Sequence, residues 1–271
     1  MKPEREGVTS MKITILGCGA SSGVPLIGCD CAVCKSTNPK NKRSRVSVLV
    51  QEGDSAVLID TSPDLRMQFL RQAIRKVDAI IYTHAHADHL HGIDDTRCLN
   101  YVRNASIDAY ADEETLRHIR ERFGYVLLPP KPGKSPLDWG WYRPSLTPIT
   151  IKAFEPFMAA GIDVMPFEQQ HGQGKTLGLR FGAFAYSTDV NGMPEESLKA
   201  LEGIDTWVVD CLRYEPAPTH AHLEMTLGWI KRVKPKRAYL THMNHGFDYD
   251  TLARELPEGV FPAYDGLKLE I

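Results

Sequence analysis

The sequence predicts an α/β protein whose β-sheets are stacked in a layered sandwich. Strand-like runs of apolar and β-branched residues recur along the whole chain, from Lys12–Leu16 to Lys268–Ile271. Between them lie amphipathic stretches in which apolar residues are spaced by three or four positions, as on one face of a helix. The strands come in pairs with helices interspersed, and not in strict strand–helix–strand alternation, which favours a sandwich of sheets.

Each element is predicted from its own local pattern, in chain order. Short apolar runs predict strands at Lys12–Leu16, Val46–Gln51, Ala56–Asp60, Ala79–Thr83, Ile107–Ala111, Thr147–Phe154, Ile162–Phe167, Leu177–Ser187, Thr206–Asp210, Arg237–Thr241 and Lys268–Ile271. Helical spacing predicts helices at Asp64–Lys76, Glu113–Phe123, Glu195–Leu201, Leu223–Val233 and Asp250–Leu256. The segment Tyr125–Pro148 is rich in Pro, Trp and Lys without a clear period. We interpret it as a lid, an oligomer contact or an ordinary surface excursion.

Composition and charge are those of an ordinary globular protein. The chain has 271 residues, of which 42% are apolar and 24% charged, and its net charge is −2. Since no linker, repeat or low-complexity tract divides it, we predict one domain over residues 11–271, preceded by a loose extension at residues 1–10. The weak net charge argues against nucleic-acid and membrane partners. Because no apolar stretch has the length of a membrane span or a signal-peptide core, a cytoplasmic location is expected.

The most informative segment is Thr83–Leu90, which reads T-H-A-H-A-D-H-L directly after a predicted strand. His84 and His86 are two positions apart and fall on the same side of an extended chain, so one metal can bind both. Asp88 and His89 follow around the turn and can face a second metal. A single loop histidine is usually only solvated, but four ligand-type residues at this spacing predict a dinuclear hydrolytic site.

A second cluster of ligand-type residues is the cysteine group Cys29, Cys31 and Cys34, in G-C-D-C-A-V-C. Disulfide geometry does not readily link cysteines two or three positions apart, and such spacing is more typical of metal ligands. A closed tetrahedral zinc site needs a fourth ligand. A redox pair or free thiols remain the alternatives at this point.

The string H-x-H-x-D-H resembles the hallmark of the metallo-β-lactamase superfamily. The resemblance implies a four-layer αββα sandwich, with two β-sheets packed face to face and helices outside. Three further residues, each after a strand-like run, repeat the order His–Asp–His that the superfamily shows downstream: His171, Asp189 and His242.

This resemblance assigns the ligands of two divalent metals, zinc or manganese with iron as a third option. One ion would take His84, His86 and His171, and the other Asp88, His89 and His242, with Asp189 bridging both. Asp60 resembles the superfamily's early aspartate and is expected to orient ligands by hydrogen bonds without binding metal. Two ions held in this way would lower the pKa of a shared water and would supply a metal-bridging hydroxide as the nucleophile.

Two other motifs resemble one branch of the superfamily, the PhnP-type phosphoribosyl cyclic phosphodiesterases. They are the opening G-C-G-A-S-S-G-V-P, and the pairing of G-C-x-C-x-x-C with T-H-x-x-H at Thr241–His245. In that branch the cysteines and a histidine bind a structural zinc, so His245 would complete a Cys₃His site. A separate catalytic histidine matches His220, with His222 as a competing position, while Arg97 is a candidate for phosphate binding. The branch also often forms homodimers.

The predicted function is therefore a dinuclear metal-dependent phosphodiesterase acting on small cyclic or nucleotide-like phosphodiesters, with Asp88 and His220 as its catalytic residues. A tRNA-processing endonuclease is an alternative, disfavoured by the near-neutral charge and the lack of a long flexible arm. A lactamase or thioester hydrolase is another, disfavoured by Asp88 and the Cys₃His motif. A non-catalytic binding protein, as in pyrroloquinoline quinone biosynthesis, would have lost metal ligands, whereas every ligand position is filled here.

Overall fold

The computed structural model describes residues 10–128 and 143–271, which form two seven-stranded sheets with helices around them. The strands are β1 Met11–Gly17, β2 Ser47–Glu52, β3 Ser55–Ile59, β4 Ala79–Ile81, β5 Ile107–Ala111, β6 Leu146–Thr150, β7 Phe157–Ala159, β8 Ile162–His171, β9 Gly174–Phe181, β10 Phe184–Ser187, β11 Thr206–Asp210, β12 Arg237–Thr241, β13 Val260–Pro262 and β14 Lys268–Glu270. The α-helices are α1 Ala32–Lys35, α2 Leu65–Gln72, α3 Ala87–Leu90, α4 Thr96–Arg103, α5 Glu113–Phe123, α6 Glu195–Ala200, α7 Leu223–Val233 and α8 Tyr249–Glu255. Within the described residues, three short 3-10 helices cover Pro39–Asn41, Ile93–Asp95 and Gly124–Leu127.

The two sheets have the same plan. The first runs β14-β1-β2-β3-β4-β5-β6 and the second β13-β12-β11-β10-β9-β8-β7. In the first sheet the pairs from β14 to β3 are antiparallel and those from β3 to β6 parallel. In the second, the pairs from β7 to β10 are antiparallel and those from β10 to β13 parallel. Since parallel strands end at the same edge of a sheet, each parallel half gathers several strand ends on one side.

Alternation along the strands divides the core into layers. In β3, Val57 and Ile59 belong to a buried cluster that also contains residues of the second sheet, among them the fully buried Trp207 of β11. The intervening Leu58 belongs to a second cluster that includes Phe69 of α2. Successive side chains of a strand point to opposite faces, so the first sheet packs on the second sheet with one face and on helices with the other. The predicted sandwich of sheets with helices outside is confirmed.

The structure differs from the predicted elements at several places. The short strands β7 and β13 and the short helices α1 and α3 were not predicted, and the strand predicted at Thr147–Phe154 already ends at Thr150. The predicted strand Leu177–Ser187 is a hairpin, β9 and β10, whose turn contains Gly182 with a φ of +55°. The strand predicted to end at Phe167 continues to His171, the last residue of β8. Helix α4 was missed because two of its buried residues, Thr96 and Asn100, are polar and hide the apolar period.

Two predictions concern residues that lie outside the described part. They are the N-terminal extension, of which residues 1–9 are not described, and the role of Tyr125–Pro148, whose central residues 129–142 are not described. Among the helices of residues 10–128 and 143–271, none is both long and apolar enough to cross a membrane.

Candidate metal centre

The predicted ligands meet at one edge of the sandwich because several parallel strands end there. In the first sheet, Asp60 directly follows β3, and the segment with His84 follows the neighbouring strand β4. In the second sheet, the parallel strands β10, β11 and β12 lead to Asp189, Asp210 and His242. The edge therefore collects carboxylate and imidazole groups from distant parts of the sequence.

Three of these residues have an unusual backbone. Asp60, Asp189 and His242 are in the left-handed region, with φ of 60°, 53° and 57°. Asp and His enter this region more readily than most residues other than glycine, whereas branched side chains strongly avoid it. Such conformations occur preferentially at functional sites, where the surrounding structure maintains them. Here they turn the chain sharply at the strand ends that carry the ligand-type groups.

The first ligand set consists of His84, His86, His171 and Asp189, whose nearest ligand atoms all lie within 4.8 Å of one another. The Nε2 atoms of His84 and His171 lie 3.6 and 3.7 Å from the same atom, Oδ2 of Asp189. His86 is the exposed member of this set, and its ring lies 4.5 Å from that of His84 between centroids. These distances leave room for an ion between the groups.

The second ligand set consists of Asp88, His89, His242 and Asp189. Their nearest ligand atoms also lie within 4.8 Å of one another. The Nε2 atoms of His89 and His242 lie 2.9 and 3.4 Å from Oδ1 of Asp189, the other oxygen of that carboxylate. Oδ2 of Asp88 lies 3.4 Å from both imidazoles. Asp189 thus presents one oxygen to each set, which is the arrangement expected of a bridging carboxylate.

Burial and charge act against each other at this centre. Burial raises the pKa of Asp189, but the neighbouring His242, His89 and His84 outweigh it and hold that pKa well below its usual range. Burial lowers the pKa of His242, but Asp189 and Asp88 outweigh it and raise that pKa to about 9. His84, in contrast, has a pKa well below the usual value, because of burial and the nearby charge of His89. The Asp189 carboxylate is therefore ionised, as a metal ligand must be, whereas His242 would have to lose a proton on binding a cation.

The donor set fits divalent cations. Within the described residues, the buried Nε2 atoms of His84 and His89 make no hydrogen bond of acceptable geometry. A buried polar atom without a partner costs roughly 1–3 kcal/mol, which a cation between imidazole and carboxylate groups would relieve. Imidazole with carboxylate ligation suits zinc, manganese and iron.

Asp60 lies behind the second set. It is fully buried and accepts hydrogen bonds from Nδ1 of His89 at 2.7 Å and from the backbone N–H and hydroxyl of Thr83, both at 2.8 Å. The bond to His89 leaves Nε2 of that ring facing the ligand set, as predicted for a group that orients a ligand. Burial raises the pKa of Asp60, although His89 and Thr83 oppose this shift.

Replacing Asp60 is expected to weaken metal binding without removing a ligand. In Asp60→Asn the amide can no longer accept all three hydrogen bonds, so His89 loses its fixed orientation. We expect the affinity for active-site metal to fall about 10–100-fold, measured by competition with a chelator. Asp108→Asn, an exposed change on β5, is the control. Equal affinities in the two variants would show that Asp60 does not orient His89 for metal.

The cysteine group forms a separate cluster with the predicted histidine. Cys29, Cys31, Cys34 and His245 have their ligand atoms within 4.8 Å of one another. Nδ1 of His245 lies 3.4 Å from the sulfurs of both Cys29 and Cys31. The hydrogen bond with His245, and then that from the backbone N–H of Cys34, lower the pKa of Cys31 to about 6. Three sulfurs and one imidazole at this spacing match the donor set of a structural zinc.

The structure adds Asp210, the last residue of β11, which sequence analysis missed. Its Oδ2 accepts a hydrogen bond of 2.9 Å from Nδ1 of His220. Nε2 of His220 lies 3.8 Å from Oδ2 of Asp189. A third cluster of ligand atoms within 4.8 Å of one another comes from Asp210, His220 and His242. The signal for Asp210 was present, since it ends the apolar run T-W-V-V-D just as Asp60 follows A-V-L-I.

Other candidates lie elsewhere. His222 precedes α7 and belongs to none of the described ligand clusters. Arg97 is exposed on α4 and lines a groove between α2 and α4. It is not among the residues that line the cavity beside His86 and His171, and its role at a substrate phosphate stays a prediction. His118 lies on the wall of a cavity of about 540 Å³ that opens onto His84, His86 and His171. His91 packs against Phe123.

A sandwich of two mixed sheets with this edge is the architecture of metallohydrolases with the metallo-β-lactamase fold. The sequence pattern of the beta-lactamase superfamily domain matches residues 55–243, which include both ligand sets. The chain therefore belongs to the metallo-β-lactamase superfamily. More narrowly, it belongs to the PhnP family: the crystal structure of a new diphosphatase from the PhnP family superimposes with a TM-score of 0.89 at 39% identity, covering 98% of both chains.

Two further relatives extend the comparison. The octanoyltransferase of Porphyromonas gingivalis is 33% identical over 262 residues, which are 95% of this chain and 51% of that protein. The chain thus spans about half the length of this curated relative. Zinc-bound PqqB from Methylobacterium extorquens shares the fold, with a TM-score of 0.77 at 19% identity over 96% of this chain and all of that one. The family predicted from H-x-H-x-D-H is confirmed.

Proposed function

We propose that this chain is a dinuclear metal-dependent phosphodiesterase acting on small cyclic or nucleotide-like phosphodiesters. The observation that carries the proposal is the division of the Asp189 carboxylate, with Oδ2 facing His84 and His171 and Oδ1 facing His89 and His242. Two divalent ions bound there would lower the pKa of a water molecule and stabilise charge on phosphate oxygens. The similarity to a PhnP-family diphosphatase supports a phosphorus-centred substrate over a lactam or thioester.

Other residues of the chain would orient the proton donor and bind the substrate. Asp210 accepts the Nδ1 proton of His220, so it fixes the orientation of that ring and leaves Nε2 toward the ligand sets. From there His220 can donate a proton to the leaving oxygen or a hydrogen bond to a non-bridging phosphate oxygen. The cavity of about 540 Å³ beside His86 and His171 has the size of a small-molecule site.

The direct test is hydrolysis of bis(p-nitrophenyl) phosphate by manganese-loaded protein. Wild type should turn over this diester, and Asp88→Ala, which removes a ligand of the second set, should not. Asp163→Ala, which replaces an exposed aspartate on β8, is the control and should turn over the diester like wild type. Absence of turnover in wild type with two ions bound at the centre would contradict the proposal. Thioester and pre-tRNA substrates, assayed in parallel, would then test the alternative activities of the superfamily.

A His220→Ala variant is expected to keep its metals and lose catalysis. Its kcat on bis(p-nitrophenyl) phosphate should fall about 100–10,000-fold, the range for removal of a general acid. Metal content measured by mass spectrometry should stay at the wild-type value, because His220 is a member of neither predicted ligand set. His222→Ala is the matched control and should retain most of its activity. A larger loss in His222→Ala than in His220→Ala would reverse the assignment.

A further inference from the structure

Arg43 is the one arginine among the largest fully buried side chains of the described residues, and its surroundings are unusual. Its side chain is 1% exposed and forms no ion pair in residues 10–128 and 143–271. Instead, Nη1 donates to the carbonyl of Asn244 at 3.0 Å. Nη2 donates to the carbonyl of Phe247 at 2.7 Å and to Oδ1 of Asn41 at 3.2 Å. Burying a charge is costly unless the structure compensates it, so a specific role is to be expected.

The two carbonyls that Arg43 binds flank His245 in the sequence. The guanidinium fork thus holds the short segment that presents the imidazole to Cys29 and Cys31. The same segment begins at His242, a member of the second active-site set, three residues earlier. One side chain therefore supports a backbone segment shared by the cysteine cluster and the active-site centre.

The backbone of Arg43 contacts the other half of the cysteine cluster. Its N–H donates to the carbonyl of Val24 and its carbonyl accepts from the N–H of Val24, both at 2.8 Å. Val24 leads into the loop that carries the three cysteines. Gly19 lies close by, and a Cβ there would come within 2.9 Å of the Cβ of Arg43. Arg43 thus connects the cysteine loop, through its main chain, with the His245 segment, through its side chain.

We propose that Arg43 is a positioning residue that preassembles the Cys₃His cluster for zinc and, through the shared segment, aligns His242. The inference rests on the proposed metal sites but does not depend on any substrate. A zinc ion with three thiolates would carry one net negative charge, and the buried guanidinium supplies a positive charge on the segment that presents His245. The carboxylates of Asp265 and Asp248 also act on Arg43 through charge, without forming an ion pair with it in the described residues.

Cobalt titration of the metal-free protein tests the proposal, because thiolate-to-cobalt charge transfer reports the cysteine site and the visible bands report the histidine and carboxylate sites. Arg43→Met should raise the dissociation constant at the cysteine site about 10–100-fold. It should also weaken the active-site bands severalfold. Arg43→Lys keeps the charge without the fork and should lie between Arg43→Met and wild type; it also serves as the second variant if Arg43→Met does not fold.

Two controls separate positioning from general stability. Arg180→Met removes a half-buried arginine that likewise donates to backbone carbonyls, those of Gly182, Ala200 and Glu202, far from the cysteines in sequence. Leu116→Ala destabilises the helix layer. Both should keep the wild-type cobalt affinity at the cysteine site. If folded Arg43→Met and Arg43→Lys both bound cobalt at the cysteine site with wild-type affinity, the proposed role of Arg43 would be overturned, while the cysteine site would stand. If wild type showed no thiolate-to-cobalt charge-transfer band, the cysteine site itself would be overturned.

Discussion

Asp189→Asn is expected to remove both active-site ions and to lower kcat/KM on bis(p-nitrophenyl) phosphate by at least about 1,000-fold. The amide preserves the size of the side chain but offers one acceptor oxygen, and its NH₂ group repels a cation. Because Oδ1 and Oδ2 of Asp189 face different histidine sets, either orientation of the amide spoils one set directly. The loss of the shared negative charge then weakens the other. Metal content and steady-state kinetics measure the two effects.

Asp88 provides the matched comparison for Asp189. The histidines that its carboxylate approaches, His89 and His242, both belong to the second set, so Asp88→Asn should lose one active-site ion and keep the ion of the first set. Circular dichroism should show both variants folded. If Asp189→Asn also lost only one ion, Asp189 would be a terminal ligand of one metal and the bridging arrangement would be wrong.

The clustering of the predicted ligands could be expected from sequence because they lie at or just after the ends of strand patterns. H-x-H-x-D-H lies after β4, and Asp189 and His242 lie just beyond β10 and β12, where parallel strands bring their ends together. The division of Asp189 between the two sets was implied by the family resemblance, but the distances that support it depend on how the two sheets are packed. Local sequence contains no information on that packing.

The run T-W-V-V-D marks Asp210 as the end of a strand, but the side chains that Asp210 and Arg43 contact were not predictable by the same reasoning. Asp210 matters because β11 lies between β10 and β12, which places it beside His220; strand order is a tertiary property. Arg43 looks like one more basic residue in K-N-K-R-S-R, and only the close approach of the segment at Asn244 buries it. Arg97 is close to the H-x-H-x-D-H loop in sequence, yet it lines the groove between α2 and α4 and not the cavity beside His86, which again depends on tertiary packing.

Cys31→Ser is expected to lose one of about three bound ions and to lower the free energy of unfolding by more than about 3 kcal/mol, because zinc binding contributes directly to folding. Serine is well suited to isolate this effect. The Cys31 sulfur is also the N-cap of α1, where it accepts a hydrogen bond from the N–H of Cys34, and a serine hydroxyl caps a helix equally well. The variant therefore keeps the cap and loses the thiolate.

The stability of Cys31→Ser is measured by urea unfolding and its metal content by mass spectrometry. Cys98→Ser, an exposed cysteine on α4, should change the free energy of unfolding by less than about 0.5 kcal/mol and keep all ions. In Cys31→Ser the active-site pair should survive, because Cys31 and Asp189 belong to separate clusters. Loss of every ion from a folded variant would mean that the two sites form one cooperative unit. An unchanged ion count would mean that the cysteine cluster binds no metal. The segment with His242 and His245 would then be held by Arg43 and by the backbone hydrogen bonds of Met243 with Cys18 and Ala20.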